Sequence, residues 1–211
     1  MDILLQKGFN TLGIDIFVLG YHIWLYHRVG ISNKTTWSEL GLSTFNFFLL
    51  RQLLLWTIPY ISFNSEFTSN TIFVLLQIGF FYFIQEIYMY FIHRLMHKIK
   101  FLYIWVHQLH HKAKAECFTT AMYMSPLEVI LHIYPDVILG PVIWYLCFGY
   151  IYKEAFSLWV ITANFYFVWS HSGVMDSQYM PSAKSHWLHH KYYNVNYGSL
   201  FSDRLFGTAM D

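Results

Sequence analysis

Twelve histidines stand among 211 residues, nearly as many as the 13 lysines and arginines together. Ten of them fall between positions 93 and 190, and eight of those form three tight motifs. The first is His93-Arg94-Leu95-Met96-His97, the second His107-Gln108-Leu109-His110-His111, and the third His186-Trp187-Leu188-His189-His190. Helical residues four apart share a face, with Cβ atoms about 5–6 Å apart, so His93 and His97 can point at one ion. In the two HxxHH motifs the three- and four-residue steps place three rings along one stripe. Composition alone yields HxxHH roughly 0.04 times in such a chain, so two occurrences are no accident of abundance. Imidazole ligates as a neutral base, so many rings can converge without the repulsion that clustered carboxylates suffer. Eight rings exceed the four donors zinc takes and the six iron takes, so the count predicts two metal ions. Imidazole suits iron, zinc and copper alike, which leaves the metal open. A proton relay or a metal-buffering tract competes with this reading, yet neither needs the same spacing repeated three times. His22 and His27, which stand apart, read as interfacial or core residues.

The frame that must carry these motifs is apolar. The chain is 56% hydrophobic, 21% aromatic and only 12% charged, about half the charged share of a soluble domain, roughly 25%. That composition excludes a disordered chain, a coiled coil and a nucleic-acid binder. Two cysteines, Cys117 and Cys147, make no disulfide scaffold. The start carries Asp2 and Lys7 and lacks a small-residue cleavage site, so no cleavable signal peptide is expected. Hydrophobic runs at 12–29, 44–61 and 71–92 suffice for three spans, each of about 20 residues. Residues 127–150 carry Glu128 and Asp136 and are broken by Pro135, Gly140 and Pro141, so a kinked or re-entrant segment is expected there. Residues 155–169 follow as a short fifth segment. The expected fold is an all-α integral membrane protein of four to five transmembrane or re-entrant helices with a cytosolic, histidine-rich helical cap. Ten basic residues (Arg28, Lys34, Arg94, Lys98, Lys100, Lys112, Lys114, Lys184, Lys191, Arg204) fall on the side of the motifs, against Lys7 and Lys153 opposite. The positive-inside rule then turns the histidines toward the cytosol. Asn33-Lys34-Thr35 is a glycosylation sequon that this topology hides.

With the text between the motifs added, the chain resembles the fatty acid hydroxylase and sterol desaturase superfamily from about residue 85 to 208. Glu86 and Tyr90 stand seven and three residues before His93, where the family has Asp and Tyr. Tyr123-Met124-Ser125-Pro126-Leu127-Glu128 is similar to the Tyr-x-His-Pro-Leu-Glu stretch of 4-methylsterol oxidases, and His171-Ser172-Gly173 to their His-Ser-Gly. Asn196-Tyr197-Gly198 and Asp203-Arg204-Leu205-Phe206-Gly207-Thr208 resemble the closing elements. Ser125, Phe167 and Ser202 depart from the pattern, replacing a His, a further ligand of fatty acid 2-hydroxylases and a Trp. The Thr-Pro element that follows the second motif in sterol C5-desaturases is absent.

The resemblance implies that His93, His97, His107, His110, His111, His186, His189 and His190 ligate metal, with His171 as a ninth. His132 lies in a His-x-Tyr-Pro run similar to one in C5-desaturases, which leaves it either a tenth ligand or a buried supporting residue. Glu86 is expected to orient His93 or Tyr90, and Asp203 with Arg204 to form a structural pair or turn cap. Residues 1–70 then hold N-terminal spans and residues 71–211 a di-metal domain. The implied activity is hydroxylation or desaturation of a lipid C–H bond by two iron ions, or zinc as a substitute in isolated protein, with O2 as co-substrate. The chain has no flavin, nicotinamide or haem fingerprint, so electrons must come from outside, and the family points to cytochrome b5 with an NAD(P)H reductase at the endoplasmic reticulum. An inactive metal-binding relative or a metal or proton carrier is the alternative.

Overall fold

The computed structural model describes residues 37–64, 71–113, 121–172 and 182–211. The expected span at 12–29, His22, His27, the Asn33 sequon, Cys117 and Gly173 lie outside them.

The chain enters as α1 (Trp37–Thr57), continues through a short 3-10 turn, and reaches strand β1 (Phe63–Asn64). Next comes α2 (Thr71–Lys98), followed by a broken helix α3 over residues 100–112, whose middle, Tyr103–His107, is a π-helical turn. Then come α4 (Pro126–Phe148), strand β2 (Ile151–Tyr152) and α5 (Lys153–Ser170). The chain closes with α6 (Ser182–Tyr192) and α7 (Leu200–Leu205). Among the described residues two helices, α2 and α4, are long and apolar enough to cross a membrane. Residues 44–61, read as a third full span, fall in α1 and its 3-10 turn, which do not meet that measure.

The two ends of the bundle differ. At one end β1 and β2 pair in parallel, Phe63 opposite Ile151, and close the gaps beside the start of α2 and between α4 and α5. Gln77 of α2 accepts from the Tyr152 backbone N–H there (2.9 Å). Phe81, Val137, Ile138, Phe156 and Trp159 pack between α2, α4 and α5 as the main core. Gly140 lets α4 lie directly on α2, since a Cβ at this position would come within 2.9 Å of the Phe81 Cα. At the other end α2 and α5 finish and α4 begins, and α3, α6 and α7 gather. A smaller core of Leu50, Met122, Met124, Val129 and Ile133 joins α1 to this end. The buried Asn46 amide ties it down by donating to the carbonyls of Met122 and Met124 (2.8 and 2.9 Å).

Residues 127–150, expected to kink or re-enter, are helical from Pro126 to Phe148, with a π turn at Val129–Ile133 and Pro141 inside the helix. Each proline should orphan the carbonyl four residues before it. Here Leu131 O accepts from the Tyr88 hydroxyl (2.6 Å) and Val137 O accepts from the Trp159 indole (2.7 Å). Donors from α2 and α5 thus replace the N–H groups that Pro135 and Pro141 lack, and the rod stays continuous.

Candidate metal centre

Four segments deliver histidines to the second end of the bundle. The last turn of α2 carries His93 and His97, α3 carries His107, His110 and His111, the end of α5 carries His171, and α6 carries His186, His189 and His190. They meet as two separate groups. His93, His97, His107, His111 and His189 form one, and His110, His171, His186 and His190 the other, with donor atoms in each within 4.8 Å of one another. The nine histidines expected as ligands are all brought together, and His132 belongs to neither group.

The partition corrects the single-stripe reading of HxxHH. In each motif the first and last histidines, four apart, go to one group, and the histidine between them goes to the other. His107 and His111 join the first group while His110 joins the second; His186 and His190 join the second while His189 joins the first. Steps of three and four residues point to either side of the helix axis. The π turn ending at His107 adds a further rotation to α3, as such turns do at functional sites.

Within the first group the Nε2 atoms of His93 and His107 are 3.0 Å apart, and that of His111 lies 3.0, 3.1 and 3.1 Å from those of His107, His97 and His189. In the second, the Nε2 atoms close a ring: His171 to His110 at 3.3 Å, His110 to His190 at 3.2 Å, His190 to His186 at 3.0 Å and His186 to His171 at 2.9 Å. Ligands about 2.1 Å from an ion are about 3.0 Å apart at right angles and about 3.4 Å apart in a tetrahedron. The first group's spacings match right-angled vertices.

Three of the rings carry their proton on the side away from their group. His93 Nδ1 donates to the Tyr197 carbonyl (2.6 Å), His189 Nδ1 to the Val195 carbonyl (2.7 Å) and His171 Nδ1 to the Phe167 carbonyl (3.1 Å). A carbonyl only accepts, so these rings carry their proton on Nδ1 and present a bare lone pair at Nε2. His107 Nδ1 faces the Glu128 carboxylate at 2.7 Å. Burial, reinforced by the neighbouring imidazoles, holds His107, His110, His111, His186, His189 and His190 well below the ordinary imidazole range. Neutral rings facing one another at about 3 Å are held by an N–H···N hydrogen bond or by a shared cation, and five or four buried rings converging on one point are the arrangement a cation favours. The donor set therefore fits two metal ions.

The surrounding residues hold this arrangement. Ser125, where the family resemblance leads one to expect histidine, caps α4 by accepting from Glu128 N (3.1 Å) and donates to Val106 O (2.8 Å), which ties α3 to Glu128. Tyr90 does not touch a histidine ring through its hydroxyl, which bonds Thr208 Oγ1 (3.1 Å) and receives Arg94 (2.9 Å). Glu86 accepts from the Ser199 hydroxyl (2.6 Å), so its link to His93 runs through the 197–199 backbone and not through a direct contact. Asp203 accepts from the N–H groups of Tyr197 and Gly198 (2.8 and 2.9 Å) and from Thr208 (2.7 Å), which makes it the turn cap expected. Its pairing with Arg204 is not found, because Arg204 turns outward to Asp211 (3.3 Å). His132 is buried with no hydrogen-bond partner on either ring nitrogen, and its Nδ1 lies 3.7 Å from Glu128. It lines a cavity beside the centre with Met89, Met124, Ile133, Tyr166 and Phe167. Sequence reasoning missed Glu128 as the partner of His107; the available signals were a carboxylate inside an otherwise apolar run and its place at the end of the stretch similar to Tyr-x-His-Pro-Leu-Glu.

The bundle thus combines two helices long and apolar enough to cross a membrane with two histidine groups at one end whose donors are placed to hold metal. The profile described as fatty acid hydroxylase matches residues 78–208, which include every histidine of both groups. The chain belongs to the fatty acid hydroxylase family. It is 33% identical over 134 residues to methylsterol monooxygenase 1 of Rattus norvegicus, covering 59% of this chain and 43% of the rat protein. It is 29% identical over 132 residues to the C-4 methylsterol oxidase of Schizosaccharomyces pombe, covering 59% and 43%. Fatty acid hydroxylase domain-containing protein 2 of Homo sapiens is 31% identical over 135 residues, covering 64% and 38%. The chain spans less than half the length of these relatives. No solved structure matches it.

Proposed function

We propose that this chain is a membrane-embedded di-iron oxygenase domain that hydroxylates or desaturates a C–H bond of a lipid, sterol or fatty-acyl. The observation that carries the reading is the pair of histidine groups, five and four rings, whose donor atoms converge within 4.8 Å of one another in each group. The first group would hold one ion and the second group the other. Five donors exceed the tetrahedral set of a structural zinc and suit iron, which takes up to six. A redox metal pair supplies what side chains cannot, the activation of O2 against an unactivated C–H bond. The chain's own residues position and shield. Tyr197, Val195, Phe167 and Glu128 fix ring orientation, while Met124, Ile133 and Phe167 wall the adjacent cavity with apolar surface that keeps water out.

In this reading residues 71–211 are the di-metal domain and residues 1–70 supply further membrane segments. The excess of basic residues beside the motifs turns the centre toward the cytosol, where a cytochrome b5 type donor and its reductase deliver electrons at the endoplasmic reticulum. The names of the relatives support methylsterol-type substrates. A carrier needs ionisable groups along a path through the membrane, and the described histidines instead gather at one end of the bundle.

The test compares the lipids of cells expressing the protein with those expressing His110→Ala. A lipid product that appears with the wild type and vanishes with the variant is expected. Identical profiles from the two would refute the oxygenase reading. Purified protein should carry two ions per chain, and a reproducible single ion would contradict the two-site assignment.

A further inference from the structure

The last described turn of the chain lies at a depth that its exposed side chains explain. Ser199 donates to Glu86 (2.6 Å), and the Phe206 ring stacks on Tyr90 (4.6 Å) and meets Phe91 (5.2 Å). Residues 197–208 therefore sit beside positions 86–91 of α2. The first cation after the apolar run of α2 is Arg94, eight residues beyond Glu86, which is about 12 Å along a helix. The Arg94 guanidinium reaches back to the Tyr90 hydroxyl (2.9 Å), so this segment begins level with the cations that mark the membrane surface and extends from there toward the hydrocarbon at Glu86 and Ser199.

Its polarity is turned inside out to match. The Ser199 N–H and hydroxyl bond Glu86, the Ser202 hydroxyl bonds Ser199 O, and the Asp203 carboxylate takes two backbone N–H groups and Thr208. Pointing outward are Phe201 and Leu205, 71% and 65% exposed and one helical turn apart. On α2 Phe91 and Leu95 are likewise 50% and 44% exposed, and Phe91 meets Phe206 of this segment. Nearby, α3 turns His107 and Val106 inward but leaves Phe101 and Trp105 65% and 66% exposed. Exposed Lys98 and Lys100 flank that apolar face, and Arg204 reaches back along the surface to Asp211. Large rings outward, satisfied polar groups inward and cations at the rim are the pattern of a segment seated in the headgroup–acyl boundary, about 5–10 Å deep.

We infer that α7 and the start of α3 are sunk into the same leaflet, with acyl chains covering Phe91, Leu95, Phe101, Trp105, Phe201 and Leu205. The metal end of the bundle is then partly immersed and does not stand clear of the membrane as a solvated cap. The inference rests on the reading of α2 as a membrane span; its occupant is the phospholipid leaflet, continuous with the lipid-facing stripe of α2 and complementary in charge to Lys98 and Lys100.

Single nitroxide labels test it on the full chain, in a C117S/C147S background reconstituted into phosphatidylcholine–phosphatidylglycerol vesicles. F201C and L205C are compared with F83C, on the exposed middle of α2, and K184C, on the exposed side of α6. The expected result is a ratio of oxygen to nickel-chelate collisions at 201 and 205 several-fold above that at 184 and close to that at 83. Nickel access at 201 and 205 with oxygen dominating at 83 overturns the inference and leaves the span intact. Nickel access at 83 removes the span and the inference with it. Shielding from both reagents, with spin–spin broadening that grows with protein density, assigns the surface to a second copy of the chain and also overturns the inference.

Discussion

Nine imidazoles near one another do not make a metal centre until each ring presents Nε2 at a fixed bearing, and the far nitrogen decides that. Glu128 performs this for His107 across 2.7 Å. Glu128→Leu removes the acceptor and frees the tautomer, so metal affinity should fall roughly 10–100-fold. Glu128→Gln keeps an oxygen facing Nδ1 and should retain most of it; metal content after equilibration with graded chelator reads both. His132→Ala should leave the metal stoichiometry of the wild type unchanged, because the ring stands outside both groups. Loss of one ion in that variant would instead make His132 a ligand. Eight of the nine histidines were legible in the sequence because imidazole spacing on a helix is local information, whereas His171, outside every motif, came only with the family resemblance. The Glu128 contact was not, since it joins residues 21 positions apart and depends on how α3 crosses the start of α4.

At the scale of elements, continuity of α4 is the feature most at odds with simple sequence rules. Two prolines and a glycine predicted a kinked or re-entrant segment, and the helix stays continuous because α2 and α5 each lend a donor to a stranded carbonyl. Trp159→Phe keeps much of the ring volume but withdraws the donor from the Val137 carbonyl. Leaving that buried acceptor unpaired should destabilise the protein by about 1–3 kcal/mol. Thermal unfolding in vesicles or nanodiscs measures the loss, and an unchanged midpoint would show that the carbonyl finds another partner. Helix existence was readable from hydropathy for α2, α4 and α5. The π turns at Tyr103–His107 and Val129–Ile133 were not, because one inserted residue per turn changes rotation without leaving a composition signature.

Across the whole molecule the two ends carry different kinds of order. The far end is held by apolar packing of Phe81, Val137, Phe156 and Trp159 and by the short parallel ladder. The histidine end is held by charge-sensitive contacts among four chain segments. Stripping the metal should therefore raise amide exchange over residues 100–112 and 182–198 and leave residues 74–83 and 155–163 protected, a contrast that hydrogen-exchange mass spectrometry resolves. Uniform loosening along the chain would show instead that the ions stabilise the entire bundle. The interleaving of the HxxHH motifs has a consequence for modularity. Helix α6 carries histidines of both groups, and so does α3. No cut through the chain separates one group from the other, so neither can be removed by truncation or grafted onto another scaffold as an independent part.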